Sequence, residues 1–381
     1  QHSSDGYQDN AYLHIDDNQN IDEQTARAKL RWQPSDALQL DVTGLYVNVD
    51  NGYDAFSLDN TRTTLSDNPG HDRAETTAGS ARLQWRLNDA VSLVALGSHA
   101  QSDTEYGFDE DWTYVGLCED FSCIVKNEQN EPVQHYSYSS TDNYLRDIDN
   151  TTADLRLVSN NERHEFGWVA GVYYRDQNES LLREYTYASG VFTSDVSAEN
   201  TALYGQLDIP LSAALKLVTG LRYEERSADY HDSDDVSFTP EDDMLGGKLA
   251  LEYHTDTTLF YGLISRGYKA GGFNSNTALP ETSREYQPEF LWNYEVGAKF
   301  ASADNRITSN IAVFYQDRDD VQTKQSLLQQ IDGDTCPCSF EDYTTNAAAG
   351  HSYGLETDIN WQASEALRLF ASLGLLRSEF D

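Results

Sequence analysis

The chain has 381 residues, 26 basic against 64 acidic side chains, a formal charge of −38 and a mean hydropathy of −0.64. So acidic a surface, with no basic stripe to relieve it, excludes nucleic acid as a partner because a polyanion would be repelled. No run of about 18 apolar residues occurs, which excludes a transmembrane helix but not a transmembrane barrel, whose strands need an apolar residue only at every second position.

In chain order, the first periodic segment is TARAKLRWQ, where Ala26, Ala28, Leu30 and Trp32 alternate with Arg27, Lys29, Arg31 and Gln33. The alternation has the period of a strand. SARLQWRL follows with Ala81, Leu83, Trp85 and Leu87 against Arg82, Gln84 and Arg86. VSLVALGSHA shows no clean phase and is left without an assigned face. TTADLRLVS sets Ala153, Leu155 and Leu157 against Asp154 and Arg156. Towards the other end, Tyr294, Val296, Ala298 and Phe300 oppose Glu295 and Lys299, and Tyr353, Leu355, Ile359 and Trp361 oppose Glu356, Asp358 and Asn360. Charges of both signs share the second face, and no helix is available to cover the first. Lipid covers it instead, with Trp32, Trp85, Trp168, Tyr253, Phe300 and Trp361 as an interfacial girdle.

Tight polar turns recur between these segments. WQPSDALQL (32–40) and WQASEALRL (361–369) are near copies, each with an aromatic, a short turn and a new alternating run. Shorter relatives centre on Asn88 to Ala90, Asn160 to Arg163, Leu211 to Ala214, Thr255 to Thr257 and Ala303 to Asn305. All are expected on one rim, the periplasmic one. Long polar stretches at 51–73, 102–142, 177–199, 229–243, 273–289 and 320–347 are expected as loops on the other rim. The fold class is therefore all-β, a transmembrane antiparallel up-and-down barrel with strands of about 10 residues, about 14 of them in this chain. On this phase Leu83→Arg is expected to disrupt membrane assembly and Arg82→Leu to be tolerated.

The cysteines lie in two loop pairs, Cys118 with Cys123 and Cys336 with Cys338. A disulfide between Cys118 and Cys123 is sterically reasonable, whereas one inside CPC is strained, and the pairing of Cys336 and Cys338 stays open. A CxC without His is a weak metal pattern, so no metal or cofactor is expected. The acidic loops read as solvated surface, with a cation-collecting or Ca²⁺-binding outer rim as the sharper alternative. None of the nine His, including His71, His135 and His231, lies in a catalytic spacing, and no enzyme is expected.

The stretch LFYGLISRGYKAGGFNSN (259–276) resembles the signature of TonB-dependent outer-membrane receptors, through Ser265, Gly267, Tyr268, Lys269, Gly271, Gly272, Phe273 and Asn274. The order of YQPEFLWNYEVGAKF, NIAVFYQDRDDVQ and SYGLETDINWQASEALRLFASLGLLRSEF downstream is similar to the same family. The resemblance implies a barrel of about 22 strands with an internal plug, of which residues 1–381 are the middle part, the plug and C-terminal strands lying outside. It also implies localisation in the outer membrane of a Gram-negative bacterium, contact with outer-membrane lipid, coupling to TonB through a missing N-terminal part, and uptake of an extracellular ligand such as a ferric siderophore. A passive porin-like channel, or uptake of cobalamin or an oligosaccharide, is the alternative. The motif residues are expected as a barrel-rim element. Loop aromatics Tyr106, Trp112, Tyr114, Tyr136 and Tyr138 are candidates to stack on a ligand.

Overall fold

A computed structural model describes residues 1–117, 125–126, 132–134, 139–160, 166–330 and 338–380. Long strands dominate it: β1 (Ile21–Ser35), β2 (Leu38–Tyr53), β3 (Gly70–Arg86), β4 (Val91–Asp109), β5 (Thr141–Ser159), β6 (Gly167–Tyr185) and β7 (Phe192–Pro210). They continue as β8 (Leu215–Asp232), β9 (Glu241–His254), β10 (Thr258–Lys269), β11 (Glu289–Ala301), β12 (Ile307–Gln330), β13 (Cys338–Ser364) and β14 (Leu367–Phe380). Each pairs antiparallel with the next, so the sheet is an unbroken meander, and the short strands His2–Ser4 and Ser237–Phe238 bring it to 16 strands. Among the described residues the β1 and β14 edges do not pair with each other.

All seven expected turns fall at the same end of this meander. The connections 36–37, 87–90, 211–214, 255–257, 302–306 and 365–366 each join a strand to its antiparallel neighbour. The seventh joins β5 to β6; its residues 161–165 lie outside the described residues, but Ser159 and Gly167 fix the rim.

The faces follow the sequence. Leu30 pairs with Val42 and Leu83 with Ala95, and Leu30, Trp32, Leu155, Val172, Leu221, Val296 and Trp361 all point away from the concave side and are exposed. Ala198, Ala202, Val218 and Met244 are among the few buried apolar residues, so the described residues form no ordinary core, and their apolar surface faces outward as a barrel in lipid requires. The inner face is a charge ladder. Arg31 meets Asp41 at 2.6 Å, Arg156 meets Asp154 at 3.0 Å and Lys216 meets Glu252 at 2.9 Å. The unassigned strand also acquires a phase: Leu93 and Ala95 pair with the outward Trp85 and Leu83, leaving Val94 and Leu96 inward.

One row of pairings shows the strand tilt. It runs from Trp85 through Leu93, Leu157, Ala170, Gly205, Leu221, Gly247, Arg266, Trp292, Asp317 and His351 to Glu379. The row leaves the short-turn rim at β3 and reaches the long-loop half at β13, the stagger of inclined barrel strands.

Two expectations need correction. Strands are 12 to 27 residues long rather than about 10. Much of what reads as loop is strand as well: β6 and β7 occupy all of 177–199 except 186–191, β8 runs on to Asp232, and β12 and β13 flank 331–337. Once a strand leaves the bilayer both its faces meet water, so the apolar half of the alternation disappears while the backbone pairing continues.

Candidate ligand-binding wall at the long-loop rim

At the long-loop end, the concave face of β2 to β6 carries an aromatic wall. Tyr53 packs edge-on to Tyr106 with ring centroids 5.1 Å apart, and Tyr106 lies 6.4 Å from Tyr144. Phe56, just past β2, stacks on Trp112 at 5.0 Å and touches Tyr53 at 6.3 Å, which makes the chain of rings continuous. Pairing explains the convergence: Tyr144 lies opposite both Tyr106 and Arg183.

Arg183 is held in the middle of this wall. Its Nε and Nη2 donate to the two carboxylate oxygens of Asp142 at 2.8 and 2.7 Å, and its guanidinium lies 5.0 Å from both the Tyr144 and the Tyr185 ring centroids. Asp142 is buried and also accepts from Tyr144 Oη at 2.9 Å. A bidentate pair under two rings fixes the cation's plane before any ligand arrives. The Asp142 carboxylate raises the Arg183 pKa, and burial together with the Tyr53 hydroxyl pushes the Tyr106 phenol far above its ordinary value. Tyr185 donates to Glu110 at 2.9 Å, which raises its phenol too. Both phenols stay neutral at any physiological pH.

The segments carrying the wall are pinned by buried polar contacts. Asp54 accepts from Asn10, Asn18 and Thr64, while Ser66 Oγ donates to Asp109 Oδ2 at 2.5 Å. Asp109 Oδ1 takes the Asp111 and Trp112 backbone amides at 3.1 and 2.9 Å. Burial raises both carboxyls, Asp109 to about 6.

The structure brings Tyr106 and Trp112 together in the wall, whereas Tyr114 stacks separately on Tyr12 at 4.1 Å. Tyr136, Tyr138, His135, Cys118, Cys123 and Cys336 lie outside the described residues, and Cys338 opens β13 opposite Gln330. His71 Nε2 faces Glu105 at 2.8 Å and His231 Nε2 faces Asp195 at 3.3 Å. Among the described residues no group of three or more His, Cys, Asp or Glu is placed to hold a metal ion. Tyr53, Asp142, Tyr144, Arg183 and Tyr185 are the wall residues that sequence reading missed. Their signal is period 2 in TDNYLRD and LLREYTY, where Asp142, Tyr144 and Arg146, then Arg183, Tyr185 and Tyr187, share a face.

The signature residues sit farther along the same rim. Tyr268 Oη donates to Glu224 at 2.8 Å and accepts from Arg222 Nε at 3.0 Å, and Lys269 ends β10. Gly271 N donates to Asp242 at 3.1 Å, and a side chain at Gly271 would start 2.5 Å from the Tyr286 carbonyl oxygen. Phe273 stacks on Phe238 at 5.0 Å and packs at a tilt against Tyr230 at 4.7 Å. Asn274 clasps the Thr344 backbone, donating to its carbonyl and accepting from its amide at 2.8 Å each. Ser265 and Gly267 lie within β10, and Gly272 pairs with Tyr286.

The profile described as TonB dependent receptor-like, beta-barrel, matches residues 2–381. The chain belongs to this family. It is a family of Gram-negative outer-membrane receptors and transporters, and the apolar outward face is the surface this barrel presents to lipid. The pesticin receptor of Yersinia enterocolitica is 24% identical over 238 residues, 60% of this chain and 33% of that protein. Among solved structures, the ferric yersiniabactin uptake receptor FyuA of Yersinia pestis is similar with a TM-score of 0.75 and 20% identity, over 100% of this chain and 55% of that one. The alcaligin outer-membrane receptor FauA of Bordetella pertussis gives 0.64 and 15%, over 95% and 54%. The chain thus spans about a third of the curated relative and about half of the solved ones.

Proposed function

We propose that the protein is an energised importer that captures a scarce extracellular ligand, a ferric siderophore, on the wall of Tyr53, Tyr106, Tyr144, Arg183 and Tyr185. The observation that carries this reading is the planar cation clamped between two tyrosine rings on the concave face at the long-loop rim. Half-buried ring faces and neutral phenols suit a ligand with aromatic or hydroxyl-rich metal-binding groups, and the surrounding acids disfavour a polyanion. Similarity to receptors for pesticin, ferric yersiniabactin and alcaligin supports the same ligand class. In this reading the protein is a receptor and not an enzyme. Residues 1–381 form the middle of a larger barrel, with the plug, the remaining strands and the segment that meets the TonB complex outside them. Two sheet edges that are unpaired among the described residues support this, since lipid cannot satisfy their backbone groups.

The test is uptake of a labelled ferric siderophore panel, with cobalamin and an oligosaccharide alongside, by cells with and without a protonophore. Uptake of a ferric siderophore is expected to stop when the proton gradient collapses. Undiminished uptake supports a passive porin-like channel instead. Tyr144→Ala is expected to weaken binding about tenfold, the worth of one lost ring stack.

A further inference from the structure

An open apolar groove of about 810 Å³ on the outward face lies over β9 to β12 and is lined by Leu249, Leu251, Gly262, Ile264, Val296 and Val313. It owes its shape to one residue. Leu251, Gly262, Val296 and Val313 follow one another across the sheet, and Gly262 leaves a gap in the row. A side chain built there would start 4.0 Å from Val296 Cγ1, so the gap is open and not filled by a neighbour.

Two residues beyond Ile264 towards the long-loop rim, a step of about 7 Å, the same face carries Arg266. Its guanidinium lies 4.0 Å from the Phe290 ring centroid and 6.0 Å from that of Trp292, and Nη1 donates to the Leu245 carbonyl at 2.6 Å. No carboxylate pairs with it among the described residues. Asp317, the nearest acid on its row, is two strands away across Trp292, about 10 Å. Arg73, which also faces outward, is by contrast tied to Asp50 at 2.7 Å. Trp292, Tyr294 and Tyr315 mark the level as the outer interface of the bilayer.

Elsewhere the outward face above the apolar rows is acidic, with Asp103, Asp147, Asp176, Glu199, Glu225 and Asp243 on neighbouring strands. That surface repels an anionic headgroup and leaves the sector of Arg266 as the place where one is attracted. We propose that Arg266 and the groove over Gly262 bind one anionic phosphorylated lipid of the outer leaflet, its phosphate on the guanidinium and an acyl chain along Leu251, Gly262 and Val296. Arginine stacked on rings keeps a planar fork of donors facing the phosphate, and the gap at Gly262 gives a chain more contact than a flat surface does.

The experiment uses the protein purified from outer membranes in mild detergent and offered phosphatidate and phosphatidylcholine with identical acyl chains, retained lipid being counted by native mass spectrometry. Phosphatidate is expected to be retained over phosphatidylcholine by about fivefold or more, a difference that Arg266→Gln abolishes and Arg266→Lys partly restores. Gly262→Phe is expected to lower retention of both lipids, and millimolar inorganic phosphate to leave retention unchanged. Equal retention of the two lipids by the wild-type protein, or a preference that survives Arg266→Gln, overturns the site and leaves only solvating lipid. Heat-modifiable migration of each variant reports folding, and should Arg266→Gln not fold, the Arg266→Lys and Gly262→Phe comparisons decide.

Discussion

Strand β8 crosses a boundary that the rest of the sheet repeats. Its outward residues on the short-turn side are Leu217, Thr219, Leu221 and Tyr223, and two residues later they become Glu225, Ser227, Asp229 and His231. The backbone pairing with β7 does not change across that step. The solvent therefore changes while the secondary structure does not: lipid bathes the first half, water the second. The inward residues show no such step: charges stand on both sides of it, at Lys216 and Arg222 below and at Glu224, Arg226 and Asp232 above, with Val218, Gly220, Ala228 and Tyr230 among them.

The largest expected effect tests this boundary directly. Leu221, 65% exposed yet apolar, lies in the lipid half, so Leu221→Arg is expected to cost about 2–4 kcal/mol, the penalty for arginine near the midplane. Glu225→Arg, four residues on and on the same face, is expected to change stability by less than about 0.5 kcal/mol. Denaturant titration of the folded barrel by gel migration compares them. Equal costs would place both residues in the same medium and erase the boundary. The pair Leu83→Arg and Arg82→Leu repeats the contrast across the two faces of β3, with the first the more severe.

A second prediction concerns what holds the water half together where lipid gives no help. There, side-chain amides tie strand ends to loops. Asn274 holds Thr344, Gln322 donates to the Ala270 carbonyl at 2.8 Å, and Asn346 donates to the Asp320 carbonyl at 2.7 Å. Removing the Asn274 amide strands partners on Thr344 and is expected to cost about 1–3 kcal/mol of local stability. In Asn274→Ala, limited proteolysis should cut within 270–288 faster while the lipid half keeps its hydrogen-exchange protection. Protection lost uniformly along β13 would mean the two halves unfold as one.

The same boundary explains what the sequence made legible. In the lipid half, alternation is clear on most strands because the two media differ, and Ala26 to Trp32 or Tyr294 to Phe300 could be assigned faces by inspection, whereas Val91 to Ala100, apolar or small on both faces, could not. Turn positions were legible for a related reason, as each interrupts that alternation at the membrane's edge. Above the boundary nothing forces an apolar residue, so β6 and β7 through 177–199 read as loop. The aromatic wall was half visible. Tyr106 and Trp112 stand out as rings in a polar stretch, but Arg183 and Asp142 become a site only through the register that sets β5 beside β6, and sequence spacing of 41 residues carries no trace of it.

A third, smaller effect is pH dependence in the water half. Burial lifts the Asp109 carboxyl to about 6, against about 3.9 for an exposed aspartate. Between those values the folded loop holds a proton that the unfolded chain has released, so this carboxyl's contribution to stability falls as pH rises through the window and is flat above about 6. Asp54, also raised by burial, has the same sign. Hydrogen-exchange protection around Ser66 and Trp112, corrected for intrinsic rates, should therefore be greater at pH 5 than at pH 7, and Asp109→Asn should flatten most of the difference. Protection that instead grew with pH would show the carboxylate, not the acid, to be the stabilising form.

The smallest expected effect lies on the outward acids themselves. Asp103 pairs across the sheet with both Glu75 and Asp147, and its pKa is raised, chiefly by the contact with Asp147, with burial and the charge on Asp147 adding to it. Like charges placed opposite one another oppose strand pairing. Only water makes the arrangement tolerable, since it screens fully exposed charges, and the same row moved down into the apolar band would not assemble. Asp103→Asn is therefore expected to stabilise the barrel slightly at low ionic strength. The gain should fade as salt rises, because the Debye length shrinks from about 30 Å at 0.01 M to about 3 Å at 1 M. Melting of the two proteins across that range of salt measures it. A gain that persisted at high salt would have to come from packing or hydrogen bonding, and the outward face at Asp103 would then be drier than the acidic half of the comparison requires.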